Sequence, residues 1–346
     1  MTPPLLRSGP RQRQGVQRRE LLAATVMLLA AAHAAVAQGP EPPLVFGLIT
    51  PRDADKTLAA WRPFLQRVAQ SLGRAIEPWT AATPQLLVQE FRAGRIDLAW
   101  VGNAPALDIV DSGVGEVFAQ MVTGDGRIGY ESILVTHQDS GLRSLDDVQQ
   151  PGRQLVFGDG ELRSTSGHLV PLYYAFVKRG INDPAALYRE IRHASHRQNL
   201  LMAARREVDF ACANNEELAL FAQEQPALAR LLRVIWRSPP IPQSPLVWKL
   251  ALPLALRRRI QDVVVGFGQR DAEERAVLRG VNNLAGFRKS RNHQLVTVAD
   301  IEMFAAWQQV NNDAGLSAGE KLQRIADISA RASRLELRLK REATVR

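Results

Sequence analysis

From residue 44 onward the chain alternates short apolar runs of strand length with longer segments whose apolar residues recur every three or four positions. The run Leu44-Val45-Phe46-Gly47-Leu48-Ile49 stops at Thr50-Pro51, and 58–72 then sets Leu58, Trp61, Leu65, Val68 and Leu72 on one helical face. Strand-like runs follow at 75–79, 96–101, 117–122 and 130–137, with helices predicted over 84–93 and over 104–110, the latter N-capped by Asn103. A second set has strands at 154–158, 190–193, 208–212, 232–236 and 246–250 and helices at 166–179, 198–205 and 215–223. Helices are expected again at 254–267, 273–278 and 300–311, after a loop at 238–245 that holds four prolines. Such alternation predicts an α/β protein with mostly parallel sheets. One cysteine, Cys212, excludes an internal disulfide and a thiolate metal site, so stability rests on an ordinary apolar core.

The net charge of +9 is unevenly placed. Residues 1–37 carry five Arg against one Glu, 317–346 carry eight Lys/Arg against four acids, and the body between is near +1. A nucleic-acid reader would carry a basic stripe on its folded domain, so that class is set aside. Residues 1–37 read as an export leader, with an arginine-rich start, an apolar run at 21–32 and Ala35-Val36-Ala37 before Gln38. The run is shorter than the roughly 20 apolar residues that a membrane-spanning helix needs. Cleavage is expected after Ala37, giving a soluble periplasmic protein, and Arg18-Arg19 fits either the twin-arginine or the ordinary route. The basic helix at 317–346 is expected to pack its leucines on the body, with contact to an anionic membrane surface as the alternative.

The stretch Phe157-Gly158-Asp159-Gly160-Glu161-Leu162-Arg163-Ser164-Thr165-Ser166-Gly167 runs from a strand through a turn into a helix opened by three hydroxyl residues. Unpaired N–H groups and the helix dipole favour an anion there, and hydroxyls add donors without adding charge. Simple N-capping is the plainer reading, but one Ser or Thr suffices for that. His196 stands at a second strand-to-helix junction, where it is placed to donate to the same anion. His193 and His196 are three apart, but no cluster around them completes a metal shell, and no metal or other cofactor is expected. The Gly-x-Ser-x-Gly elbow of serine hydrolases and the Gly-x-x-x-x-Gly-Lys phosphate loop are both missing.

These residues, with Ile96-Asp97-Leu98-Ala99-Trp100, Gly102-Asn103, 115–120, Ser144-Leu145-Asp146-Asp147, Leu169-Val170-Pro171 and 233–242, resemble the phosphonate, phosphite and phosphate substrate-binding proteins of ABC transporters across 45–310. The resemblance implies a type II periplasmic-binding-protein fold, two α/β lobes joined by two crossing hinge strands and closing over ligand. The crossings are expected near 131–137 and 246–250, with lobe 1 formed by 43–134 and 249–316 and lobe 2 by 135–248. It implies a monomeric, non-enzymatic receptor that hands a phosphorus oxyanion to an inner-membrane permease and its ATPase. Carried over residue by residue, Ser164, Thr165, Ser166 and His196 hold the oxyanion, and Glu216 matches one of two acids that receive a ligand ammonium.

Departures from the family pattern also matter. The second acid falls on Ser244, and two tyrosines that touch the phosphonate fall on Pro84 and Val101. Arg163 and Arg197 flank the seat where the family has neutral or acidic residues; pointing inward, they would make it more positive. The expected ligand is therefore one without an ammonium: phosphate, phosphite, an alkylphosphonate or an acidic phosphonate. Two alternatives are a sensory or scavenging protein of the same fold, and a phosphoester hydrolase with Ser164 as nucleophile and His196 as base.

Overall fold

A computed structural model describes residues 41–49, 54–281 and 283–341; the expected leader and its cleavage site lie outside the described residues. The strands are β1 (Leu44–Ile49), β2 (Ile76–Ala81), β3 (Leu98–Trp100), β4 (Gly115–Thr123), β5 (Gly129–Tyr130), β6 (Ser132–His137), β7 (Val156–Gly160), β8 (Glu190–Ala194), β9 (Phe210–Asn214), β10 (Leu232–Arg237), β11 (Ile241–Pro242), β12 (Pro245–Lys249) and β13 (Leu284–Lys289). A six-stranded sheet runs β13-β4-β12-β3-β1-β2 and a five-stranded sheet runs β10-β6-β9-β7-β8. Parallel pairing holds β1 to β2 and β3, and β7 to β8 and β9. The remaining strands join antiparallel, so each sheet is mixed rather than mostly parallel.

The first sheet is covered by α1 (Ala54–Leu72), α2 (Pro84–Arg92) and α3 (Asn103–Ser112). Trp61, Phe64, Leu65, Val68 and Leu72 of α1 are buried in one cluster with Leu44, Phe46 and Leu48 of β1. Each such side chain removed from water contributes about 1.5–3 kcal/mol. In the second lobe, α4 (His196–Ala204) and α5 (Asn215–Glu224) pack on β7 and β9 through Leu200, Ala203, Ala211 and Phe221.

The lobes are joined by the antiparallel ribbon of β5 and β11, which pairs Tyr130 with Ile241 and Gly129 with Pro242. The crossing thus lies a few residues before the expected positions: β6 belongs to the second sheet and β12 to the first. The lobe boundaries expected at 134/135 and 248/249 move with it. Each expected segment centres on an apolar stretch, Ile133-Leu134-Val135 or Leu246-Val247-Trp248, and such a run reads the same in a hinge as in a sheet core. The residues that mark the crossing are the glycine of β5 and the prolines of the 238–245 loop.

Two further elements close the first lobe, α6 (Val296–Asn312) and α7 (Ala318–Arg341). Leu335 and Leu339 of α7 are buried against Leu87, Phe91 and Ile109, as its leucine spacing predicted. Its arginines are not all left to solvent. Arg338 donates to the carbonyls of Val110 and Asp111, and Arg331 pairs with Asp111 at 2.6 Å and Glu302 at 3.2 Å. A cation at the C-terminal end of α3 complements the helix dipole.

Candidate functional site

Two helix starts, one from each lobe, face each other across the junction. From the second lobe, β7 ends at Gly160 and the chain returns through Ser164 into a wide π-type turn, Thr165–Leu169. The return is tight: a Cβ on Gly160 would stand 2.5 Å from the carbonyl carbon of Gly167, and one on Gly167 would stand 2.7 Å from Ser164 Oγ. Ser164 caps the turn by accepting from Gly167 N at 3.0 Å, while its carbonyl takes the amides of both His168 and Leu169 at 3.1 Å. Thr165 and Ser166 are buried, at 3% and 2% exposure.

From the first lobe comes α3, whose N-cap is Gly102 rather than the expected Asn103. Asn103 is instead the first helical residue, its side chain donating from Nδ2 to Pro242 O at 2.7 Å and accepting at Oδ1 from Gln294 Nε2 at 3.0 Å. Gly102 supplies no side-chain cap, and the free Ala104 amide of the first turn donates to Thr165 Oγ1 at 2.9 Å. A helix N-terminus without a cap of its own is thereby turned onto the hydroxyls of the opposite lobe.

His196 opens α4 under the Ser195 cap, and its Nε2 lies 3.1 Å from Ser166 Oγ. Ser132 Oγ donates to the Ser166 carbonyl at 2.6 Å. The hydroxyl of buried Tyr130 bonds the Ser166 side chain, and its pKa is driven up, first by burial and secondarily by the Glu216 charge. Glu216, in the first turn of α5, accepts from Gln243 Nε2 at 2.5 Å. Burial pushes its carboxyl up, against the pull of Gln243 and of Arg127. Ser166 thus meets His196 and Tyr130 directly, with Ser164 and Thr165 in the same turn, and Glu216 approaches from the far side of Tyr130.

Neither flanking arginine is turned into the seat. Arg163 reaches across to the first lobe, 2.7 Å from Asp108 and 3.2 Å from Glu302. Arg197 lies over the Phe221 ring at 4.9 Å and pairs with Glu217 and Glu224. Their charges are neutralised by acids, which removes one ground for expecting a ligand without an ammonium. The other ground, Ser244, stands: its side chain is half-buried, and its backbone serves Met121 and Gln243.

Val101 is buried in the core of the first lobe and Pro84 in the first turn of α2. Tyr130, Ser132, Gln243 and the Ala104 amide are members that sequence reasoning missed. Tyr130 lies in a run whose sequence reads as one strand, which gives its polar tip no signal; a break at Glu131, whose backbone amide donates to Asn215 at 2.8 Å, aims it inward. His193 does not pair with His196. It neighbours Asp159 in the β7/β8 register and faces His168.

The family model described as ABC transporter, phosphonate, periplasmic substrate-binding protein matches residues 46–295. Among curated proteins, the phosphonates-binding periplasmic protein of Escherichia coli K12 is 36% identical over 309 residues, 89% of each chain. Among solved structures, a binding protein component of an ABC phosphonate transporter from Pseudomonas aeruginosa is 34% identical with a TM-score of 0.78, over 88% of this chain and 99% of that one. A Prochlorococcus marinus protein solved with methylphosphonate shares the fold, with a TM-score of 0.66 at 18% identity over 75% of this chain and 96% of its own.

Proposed function

Because the chain belongs to the periplasmic substrate-binding protein family of phosphonate ABC transporters, we propose that it captures a small phosphonate between its lobes and delivers it to a permease. The observation that carries the ligand class is the meeting of the uncapped α3 start with Thr165 and Ser166 beside His196. Amide, hydroxyl and imidazole donors converge there from both lobes. A tetrahedral oxyanion accepts from several directions at once, so it is served by both lobes and favours their closure.

The phosphonate oxygens lie on Ser164, Thr165, Ser166 and His196, with Tyr130 and the Ala104 amide as further donors. The organic substituent points to Glu216 and Gln243. A buried carboxylate beside a dianion is repulsive unless the ligand brings a cation or the carboxyl holds its proton. Glu216 therefore favours an ammonium on the substituent, and this reading replaces the amine-free ligand expected from sequence. Ser244 favours the amine-free alternative, because it removes a second partner for that ammonium.

Binding without catalysis is the better account of the hydroxyls. Ser164 is committed to capping, and the histidine stands against Ser166, not against the serine expected as nucleophile. The family places the protein in the periplasm, and among the described residues no helix is long and apolar enough to cross a membrane. Cleavage after Ala37 and a monomeric state complete the reading; N-terminal mass spectrometry and light scattering of the exported protein check them.

Calorimetry on protein stripped of ligand by unfolding and refolding tests the ligand class, with aminoethylphosphonate, methylphosphonate, phosphite, phosphate and sulfate. Aminoethylphosphonate should bind tightest and sulfate not at all; at 100 times its dissociation constant a ligand adds about 2.7 kcal/mol to stability. Methylphosphonate or phosphite as the tightest ligand would return the site to the amine-free reading. Sulfate binding as well as any phosphorus oxyanion would overturn the assignment altogether.

A further inference from the structure

Behind the seat, three side chains that the anion does not use converge on one point. Asp159, next to last in β7, is buried at 6% exposure. Its Oδ1 accepts from Gly160 N at 2.8 Å, and its Oδ2 lies 2.6 Å from His168 Nδ1 and 3.5 Å from His193 Nδ1. One donor atom from each of the three lies within 4.8 Å of the other two. They come from β7, from the adjacent strand β8 and from the turn opened by Ser164, so the backbone holds all three in place.

We propose that Asp159, His168 and His193 bind one divalent transition-metal ion of the zinc class. Two imidazoles and one carboxylate suit a borderline ion, whereas calcium and magnesium take oxygen ligands. Zinc bonds of about 2.0–2.1 Å in tetrahedral array set ligand atoms roughly 3.3 Å apart. The two carboxylate-to-imidazole distances of 2.6 and 3.5 Å bracket that spacing, so small side-chain rotations suffice. His193 is 45% exposed, which gives the ion an entry path and leaves its outer side to a water ligand. Both imidazoles now use Nδ1 as donor, His168 to Asp159 and His193 to the Gly160 carbonyl at 2.9 Å. For either to ligate through Nδ1, the proton there must first move to Nε2. His168 follows Gly167 directly, so a bound ion also fixes the back of the anion seat; this last consequence alone rests on the proposed ligand site.

The test uses the exported chain with any affinity tag removed, treated with chelator and kept free of phosphorus anions. Zinc titration by calorimetry, with cobalt substitution read optically, should give one equivalent and the visible bands of a tetrahedral cobalt site. His193→Ala, on the sheet's edge strand, should lose that equivalent while keeping its circular dichroism spectrum. His137→Ala, whose imidazole lies 3.8 Å from Asp139, should keep it. No saturable uptake by the unaltered protein, or uptake undiminished in His193→Ala, would overturn the proposal. Because no phosphonate is present, neither result depends on the anion site.

Discussion

Glu216 stands against Gln243 with its carboxyl pushed up by burial, and that shift fixes the sign of two effects. A carboxyl whose folded pKa exceeds its unfolded value holds its proton more tightly in the fold. Its contribution to stability is present at low pH and is lost as pH rises through the folded value. Glu216→Gln should therefore raise the thermal midpoint of the ligand-free protein at neutral pH. That gain should vanish below the ordinary carboxylate range, as melts at several pH values would reveal. Affinity moves with the ligand: an ammonium-bearing phosphonate should weaken as pH falls through the Glu216 titration, and Glu216→Gln should flatten that dependence. At this scale the seat was half legible. Three consecutive hydroxyls at a helix start declare themselves in sequence, since one is enough to cap. Tyr130 and the Ala104 amide do not, because they reach the seat from the crossing ribbon and from the opposite lobe.

Among the elements, the helices with strong apolar spacing match expectation, α1 and α7 above all. Where local pattern meets a long-range demand, the element persists but its winding or its extent changes. The segment 166–179, expected as one α-helix, is helical without a break, but with Gly167 and Pro171 inside it the winding is wide at Thr165–Leu169 and Leu172–Phe176 and tight at Val177–Arg179. The contact of Gly167 with Gly160 holds the first turn, and Ser164 O shared by two amides widens it. The run expected as one strand at 130–137 is split because its ends serve different sheets. For α7 the packing makes a direct prediction. Leu335 is 1% exposed while Leu337, two residues on, is 67% exposed. Leu335→Ala should cost about 2–5 kcal/mol in denaturant unfolding, from lost burial and the cavity left behind. Leu337→Ala should stay within about 0.5 kcal/mol. Equal losses at both positions would mean that α7 does not rest on α2 and α3 as described.

For the whole molecule, the position of Arg163 bears on closure rather than on ligand contact. Its guanidinium leaves the second lobe to meet Asp108 of α3 and Glu302 of α6. Arg331 of α7 reaches the same Glu302 and Asp111, so the first lobe holds its acids in place from behind. Burial pushes the Asp108 carboxyl up against the pull of Arg163, so the pair is costly to leave unmatched. The Arg163 guanidinium bonds Asp108, Glu302 and the Ala104 carbonyl, all across the lobe junction, and an interaction made only in the closed form shifts the open–closed equilibrium by its own free energy. Arg163→Ala should therefore weaken ligand binding roughly tenfold, about 1.4 kcal/mol, through faster release. It should also leave the liganded protein more expanded in small-angle scattering than the unaltered one. Arg163→Lys should recover only part of the loss, because one ammonium cannot reproduce a fork that bonds Asp108 through both Nε and a terminal nitrogen while also reaching Glu302. A tenfold loss without any change in scattering or release rate would place Arg163 on the ligand itself, and would return to the seat the positive charge that the sequence first suggested.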